Sequence, residues 1–492
     1  VNIRSWLRNA SERAPNAAAI ADASGALTYR ELEELSNRFA GALVARGIGR
    51  EDRVVIWSDK SIEVVACMQA VLQLGAAYVP LDGASPAFRV AKISEQVDAA
   101  LVVVSSDLAG ALAQAGLARS SWTLPSREPV STRAEDGIVV AEIVSRDVDD
   151  LAYILFTSGS TGEPKGVCTS QGNVAAFVNW AAEHVGLNAQ DRIANHASFS
   201  FDLSVFDLYA SFLIGAQVVL VPSMVAYVPS SLLALLRRHR ISVLYAVPTA
   251  YVLMLDEGLS APPGLSLRVA IFAGEPFPLA ALARLAEALP WARLLNFYGP
   301  TETNVCTAYE VTRQDLGQPI PIGSATCGNR VYAVRNDGVV AEVGEEGELM
   351  VEGPTVMLGY WGQPSVRSRP YATGDLVRVL PGGQFFYLGR RDAMLKIRGH
   401  RVEPAEVELA LQASPRVRRV AVVVDQTGEV SKLKAFVVSA PGERLSLMEA
   451  KRLCAERLPK YMIIDELQLV DDLPRTSTGK ISRRALSTWS DR

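Results

Sequence analysis

Leu151-Ala-Tyr-Ile-Leu-Phe-Thr-Ser-Gly-Ser-Thr-Gly-Glu-Pro-Lys-Gly166 is the stretch on which the rest of the chain turns. It begins as a short apolar run, which reads as a buried strand. It then breaks into hydroxyls, glycines and one lysine. Gly159 and Gly162 let the backbone turn tightly enough to aim several N–H groups at one anion. Thr157, Ser158, Ser160 and Thr161 add hydroxyl donors, and Lys165 adds a positive charge. A loop of this kind grips phosphate. Its spacing departs from G-x-x-x-x-G-K-[ST], in which the lysine follows the second glycine and a helix begins at once. Here Lys165 precedes Gly166, and Pro164 sits where that helix would already be running. The spacing excludes a phosphate-loop ATPase or kinase.

A chain of 492 residues is too long for one ordinary core and predicts two or more domains. Hydrophobic residues make up 49% and charged residues 21%, the balance of a soluble globular enzyme. No apolar run is long enough to span a bilayer and no signal peptide is visible, so a cytoplasmic protein that avoids membranes is expected. Cys67, Cys168, Cys306, Cys327 and Cys454 lack any C-x-x-C spacing, which fits free thiols in a reducing compartment. The four histidines lack ligand-like pairing, which argues against zinc. A net charge of −4 disfavours nucleic acid as a partner. Residues 389–492 nevertheless hold 20 Lys and Arg against 14 Asp and Glu. That basic end suits an acidic partner, and equally suits a solvated mixed-charge surface.

Along the chain, Thr28-Tyr-Arg-Glu31 is a capping box opening an amphipathic helix that ends by Gly47. Strand-like Arg53–Trp57, a helix over 61–74 and strand-like Ala77–Pro80 predict parallel α/β layers. Strands are expected at Gln217–Val221, Ile241–Val247, Leu267–Phe272 and Arg293–Phe297, with helices at Ser231–His239 and Leu279–Leu289. Several of these strands deliver polar or glycine-rich ends to one edge, where ligands bind in such sheets. From Gly323 the texture changes to β hairpins. After Arg390 comes a small α+β unit with strands around Val420–Val424 and Leu433–Val438. Its helix opens at the box Ser446-Leu-Met-Glu449 and closes at Pro459.

The phosphate loop closely resembles the signature loop of the adenylate-forming enzymes: acyl-CoA synthetases, luciferases and the adenylation domains of nonribosomal peptide synthetases. The other motifs follow in that family's order over nearly the whole chain. The resemblance implies an α/β fold with a large N-terminal domain of layered α/β sheets plus a β-rich subdomain (1–390). A small mobile α+β C-terminal domain (391–492) follows, hinged at Asp392. ATP would be held by Thr157 to Gly162, Lys165, Gly274-Glu275-Pro276 and Asn296-Phe297. In Tyr298-Gly-Pro-Thr-Glu302, Tyr298 would lie against adenine, Thr301 would touch phosphate and Glu302 would hold Mg2+. Asp375, in Thr373-Gly-Asp375, would bind the ribose hydroxyls, although T-G-D alone is a common turn. Tyr387 and Arg390 would flank the nucleotide. Lys480 would reach the reacting carboxylate and α-phosphate, and the Lys396–Glu403 loop would replace it when the small domain rotates.

Phe201-Asp-Leu-Ser-Val-Phe206 points to the branch of the family. Asp202 matches the carboxylate that pairs with a substrate α-ammonium in amino acid adenylation domains; the alternative is a helix cap. Aligned by motif, the pocket wall reads Phe201, Asp202, Leu203, Phe206, Ala246, Ile271, Ala273, Phe297, Val305 and Cys306, with Lys480 at its mouth. Two phenylalanines in an apolar wall predict a small cavity. Alanine is then the first expectation, followed by glycine, serine, 2-aminobutyrate or proline. A carrier-domain G-G-x-S motif is missing from the sequence, so the resemblance implies a monomeric stand-alone enzyme loading the phosphopantetheine thiol of a separate carrier protein, as in antibiotic-type nonribosomal synthesis. Two alternatives remain open: a β-amino acid adenylation enzyme, and an acyl- or aryl-CoA ligase, which would have no use for Asp202.

Overall fold

The computed structural model describes residues 2–114, 116–117, 121–125, 143–158, 163–259, 264–366, 369–391, 395–397, 400–425, 431–474 and 483–487. Thr28 and Glu31 form the expected capping box: the Thr28 hydroxyl accepts from the Glu31 N–H, and the Glu31 carboxylate accepts from the Thr28 N–H at 2.8 Å. Helix α1 (Tyr29–Val44) then buries Leu32, Leu35, Phe39 and Leu43 on one face. Strand β1 (Arg53–Ser58) leads into α2 (Ile62–Gln73), whose residues are all buried except Glu63. A helix apolar on nearly every side needs protein all round it. Its side chains join a core that also takes residues from both large sheets.

Strand β2 (Leu151–Thr157) is the buried run that opens the phosphate loop. It pairs antiparallel with β3 (Lys165–Ser170), placing Lys165 opposite Thr157. The phosphate loop is therefore the tip of a β-hairpin, and a strand rather than a helix follows Pro164. The two strands lie in a seven-stranded sheet whose centre, Ala77–Asp82 beside β1, is parallel. After β3, the Ser170 hydroxyl caps α3 (Gln171–Val185).

The second sheet has thirteen strands. Its parallel part includes β4 (Arg192–Asn195), β5 (Val243–Ala246), β6 (Val269–Phe272) and β7 (Arg293–Tyr298). Side chains alternate across it. Tyr245, Ile271 and Phe297 face the core between the sheets, whereas Ala246 and Phe272 face the outer layer. That layer consists of α4 (Pro229–Arg238), α5 (Pro248–Asp256) and α6 (Leu279–Ala288). The β-rich segment after Gly323 has its own small core, yet its strands are not a separate sheet. Strands β8 (Tyr371–Leu380) and β9 (Gln384–Arg390) continue the thirteen-stranded sheet through Gly323–Ala325.

The small C-terminal domain has its own core. A hairpin of β10 (Leu395–Ile397) and β11 (His400–Val402) precedes α7 (Pro404–Gln412). Three further strands pair as Val417–Asp425, Lys432–Ser439 and Glu466–Leu469. Helix α8 (Leu447–Ala455) starts at the predicted Ser446–Glu449 box but stops short of Pro459, and a 3-10 turn follows at Lys460–Met462. The buried pair Arg89–Glu406, at 2.5 Å, joins the two domains. Burial pushes the Glu406 carboxyl up, and the Arg89 charge opposes that shift. Among the described residues no helix is long and apolar enough to cross a membrane. All five thiols are free and buried.

Candidate active site

Strand β2 carries Thr157 to the rim of a cavity of about 810 Å³. The next residue, Ser158, is fully buried, and its hydroxyl accepts the Glu403 N–H of the small domain at 3.1 Å. Gly159, Ser160, Thr161 and Gly162 lie outside the described residues, as do Asp392 and Lys480. Lys165 points its ammonium at the Tyr360 ring, 5.4 Å from the centroid. The Tyr360 hydroxyl in turn donates to Glu302 Oε1 at 2.6 Å. Residues from three distant stretches thus meet beside the loop, and no sequence motif announced Tyr360.

Strand β7 delivers Tyr298 into the turn that holds Thr301 and Glu302 at the cavity wall. Gly299 is obligatory in that turn: a Cβ there would stand 1.6 Å from the Asn304 carbonyl oxygen. The Tyr298 hydroxyl donates to Asp375 Oδ2, while Arg390 Nη1 donates to Asp375 Oδ1 at 2.9 Å. Asp375 and Arg390 are register partners across β8 and β9, which explains why two residues fifteen apart sit face to face. Burial, then the Asp375 charge, push the Tyr298 hydroxyl far above its ordinary range, so it stays a donor. The Tyr387 ring lies 6.3 Å from that of Tyr298.

Other nucleotide candidates are placed differently. Gly274 lines the cavity with Thr157, Thr301, Glu302 and Arg390, but Lys165, Glu275, Pro276, Asn296, Tyr298, Asp375 and Tyr387 lie behind or beside that lining. The Glu275 carboxylate accepts from the Thr249 hydroxyl at 2.6 Å and from the Thr249 N–H, holding the start of α5. Asn296 spends its side-chain amide on the Pro321 carbonyl at 2.9 Å. Glu275 thus supports Thr249, which lines the cavity, whereas Asn296 ties β7 to the Pro321 segment.

Asp202 lies in the cavity wall and is only 8% exposed. It stands at the N-terminal end of a helix over 203–214 but makes no side-chain capping bond, so the helix-cap alternative fails. The turn 206–210 of that helix is π-helical, a local widening that often marks functional positions. Phe201, Leu203, Ala273 and Val305 line the same cavity.

Five expected wall residues do not line it: Phe206, Ala246, Ile271, Phe297 and Cys306, all buried behind it. Ala246 is a register error. Strand pairing sets Tyr245 beside Ile271 and Ala246 beside Phe272, on the opposite face. Tyr245 is the residue that lines the cavity, and its period-2 alternation with Ala246 is the signal that could have found it. Its ring packs edge-on against Phe206 at 5.8 Å and Phe297 at 5.7 Å. Phe297 also packs on Trp180 and His184. The small-cavity inference assumed that these phenylalanines project into the space; they support Tyr245 instead. Burial pushes the Cys306 thiol up to about 12, so it is no nucleophile.

The cavity extends to the small domain. His400 at the tip of the β10–β11 hairpin stacks on Tyr461 at 3.9 Å and tilts over Phe201 at 5.0 Å. His400 and Glu403 of the small domain are thus turned toward the site. Among the described residues no cluster of three or more His, Cys, Asp or Glu side chains could cage a metal ion. In the turn after β7, Thr301 and Glu302 line the cavity and bring a hydroxyl and a carboxylate together. That oxygen set fits Mg2+, which takes one or two carboxylates and completes its shell with water and substrate phosphate.

Comparisons with known proteins agree with this geometry. Residues 7–361 match the family model described as AMP-binding enzyme, and residues 406–480 match the AMP-binding enzyme C-terminal domain. An L-proline--[L-prolyl-carrier protein] ligase of Pseudomonas fluorescens is 46% identical over 96% of this chain and 96% of its own. A ligase of the same name from Streptomyces coelicolor is 37% identical over 94% and 92%. The solved o-succinylbenzoate CoA synthetase of Bacillus subtilis superposes with a TM-score of 0.85, at 25% identity over 98% of both chains. The expectation of alanine as first substrate has no support among these relatives.

Proposed function

The chain belongs to the AMP-binding enzyme family, and on that premise we propose that it activates L-proline as prolyl-AMP and passes the prolyl group to a carrier-protein thiol. The protein is an AMP-forming amino acid adenylating ligase whose acceptor is the phosphopantetheine of a separate carrier protein. The observation that carries the reading of the substrate as an amino acid is Asp202, a buried carboxylate in the cavity wall beside Leu203, Tyr245, Ala273 and Val305. An ammonium brought into that wall needs a partner charge, and Asp202 provides it. The apolar ring of proline then needs no hydrogen-bonding group, and Leu203, Ala273 and Val305 offer it apolar contact. The relatives' substrate supports the same reading.

In the first half-reaction a proline carboxylate oxygen attacks the α-phosphorus of ATP and pyrophosphate leaves. Two anions must approach each other. Arg390, Thr157 and Thr301 line the cavity where that charge would gather. Glu302 would hold Mg2+, which supplies further neutralisation of phosphate charge when bound. In the second half-reaction the thiol sulfur attacks the acyl carbon, the acyl–phosphate bond breaks, and AMP leaves.

The Arg89–Glu406 pair holds the small domain with His400 and Glu403 toward the cavity, two residues of the stretch that family resemblance links to transfer. Arg89→Met should therefore slow transfer of the prolyl group by about tenfold or more, since it removes one partner of a buried pair. Pyrophosphate exchange should hold, because adenylation uses the other orientation. Single-turnover carrier loading compared with exchange checks this; equal loss in both would contradict it.

The reading as a whole is tested by incubating the protein with ATP, L-proline and a phosphopantetheine-bearing carrier protein. Mass spectrometry should find the carrier heavier by one prolyl group. A carrier loaded with alanine but not with proline would contradict it.

A further inference from the structure

We infer that Lys60 is a positioning residue for Asp202, acting as a clamp on the backbone that carries the amino acid pocket; this rests on the reading of Asp202 as the ammonium's partner. Lys60 is set between two rigid elements, the end of β1 and the start of α2, which Ser61 caps by accepting the Val64 N–H. Its ammonium donates to three successive carbonyls, Asn195 at 2.9 Å, His196 at 3.0 Å and Ala197 at 3.2 Å. An ammonium has three N–H donors, and here each has one acceptor.

These carbonyls belong to the end of β4 and the first residues beyond it. From there a chain of hydrogen bonds runs to the pocket. Ser198 and Ser200 join hydroxyls at 2.9 Å, and the Phe201 N–H donates to the Ser198 carbonyl at 3.0 Å. The Ser204 hydroxyl donates to the Phe201 carbonyl at 2.8 Å, and the Val205 N–H to the Asp202 carbonyl. A second route starts from the same anchor. The Asn195 side-chain amide donates to Asp207 Oδ2 at 3.0 Å, on the π-helical turn just beyond Asp202. Asp202 is thus held from both sides by residues tied to one ammonium.

Burial pushes the Lys60 ammonium down to about 7, opposed by the charges of Asp207, Asp82 and Asp59. It also helps push His196, the next side chain along, down to about 4, after burial. An ionisable group placed so deep is costly, and its hydrogen bonds are spent on the loop that shapes the pocket. Nothing in the sequence marked Lys60: a lone lysine after a strand reads as solvated surface.

The test measures KM for L-proline and for ATP separately in pyrophosphate exchange, for Lys60→Met, Lys60→Arg and the control Asp202→Asn. Lys60→Met should raise the proline KM about 10- to 100-fold, the cost of misplacing a group from a distance. The ATP KM should stay close to that of the parent. Lys60→Arg restores the charge and several donors, so it should fold even where Lys60→Met does not, and should recover part of the loss. A parallel rise of both KM values, or no change in proline KM for Lys60→Arg and Lys60→Met alike, would overturn the clamp. An unchanged proline KM in Asp202→Asn would overturn the reading of Asp202 itself, and the clamp with it.

Discussion

Asp202→Asn should raise the KM for L-proline at least about 100-fold and leave the KM for ATP nearly unchanged. The size follows from burial. Asp202 is 8% exposed and stands in the cavity wall beside Leu203, Tyr245, Ala273 and Val305. Leaving one member of a buried ion pair without its partner costs about 3–5 kcal/mol, and each 1.4 kcal/mol is about tenfold in affinity. Asparagine keeps the shape and removes the charge, so packing is not what the experiment reads. The ATP side is spared because nucleotide candidates Asp375, Arg390 and Tyr298 form a separate network. A second readout sharpens the point: cyclopentanecarboxylate, which has the ring but no amine, should compete poorly with proline in the parent and comparably in the variant. Unchanged discrimination would show that the ammonium is recognised elsewhere.

Lys480→Ala should lower prolyl-AMP formation by about 100- to 1,000-fold, the usual loss when a preorganised stabiliser of developing charge is removed. Transfer from pre-formed prolyl-AMP to the carrier thiol should be little affected. Lys480 lies outside the described residues, and its role is proposed from its place in Arg475-Thr-Ser-Thr-Gly-Lys480 and from the chemistry of two anions meeting. In the small domain, Glu403 is bonded to Ser158 and His400 lies over Phe201. A residue used in one orientation only should affect one half-reaction only. Equal loss of both steps would assign Lys480 to the fold instead.

Much of this arrangement was legible before any coordinates. Capping boxes at Thr28 and Ser446 appear where Ser or Thr precedes Glu by three, because that spacing satisfies two backbone donors locally. Parallel strands were visible as apolar runs ending in glycine or proline. Motif residues such as Thr157, Thr301, Glu302 and Arg390 meet at one cavity although they lie far apart in the chain. What sequence could not reveal is set by register and tertiary contact. Ala246 in place of Tyr245 was an error of one residue, and in a strand one residue exchanges one face of the sheet for the other. Phe206 and Phe297 were read as walls because their depth behind Tyr245 depends on neighbouring strands and on α3. The choice of alanine followed from that misplacement. Glu275 and Asn296 sit beside motif residues but use their side chains on Thr249 and Pro321. Lys60 and Tyr360 act through partners more than fifty positions away, which no local pattern encodes.

The central claim is that this protein makes an adenylate of L-proline. Amino-acid-dependent ATP–pyrophosphate exchange over a panel of proline, alanine, glycine, serine, a β-amino acid and acids without an amine tests it most directly. Proline should give the strongest exchange by a wide margin. Exchange led by alanine would restore the small-cavity reading, and exchange confined to acids without an amine would contradict the role given to Asp202.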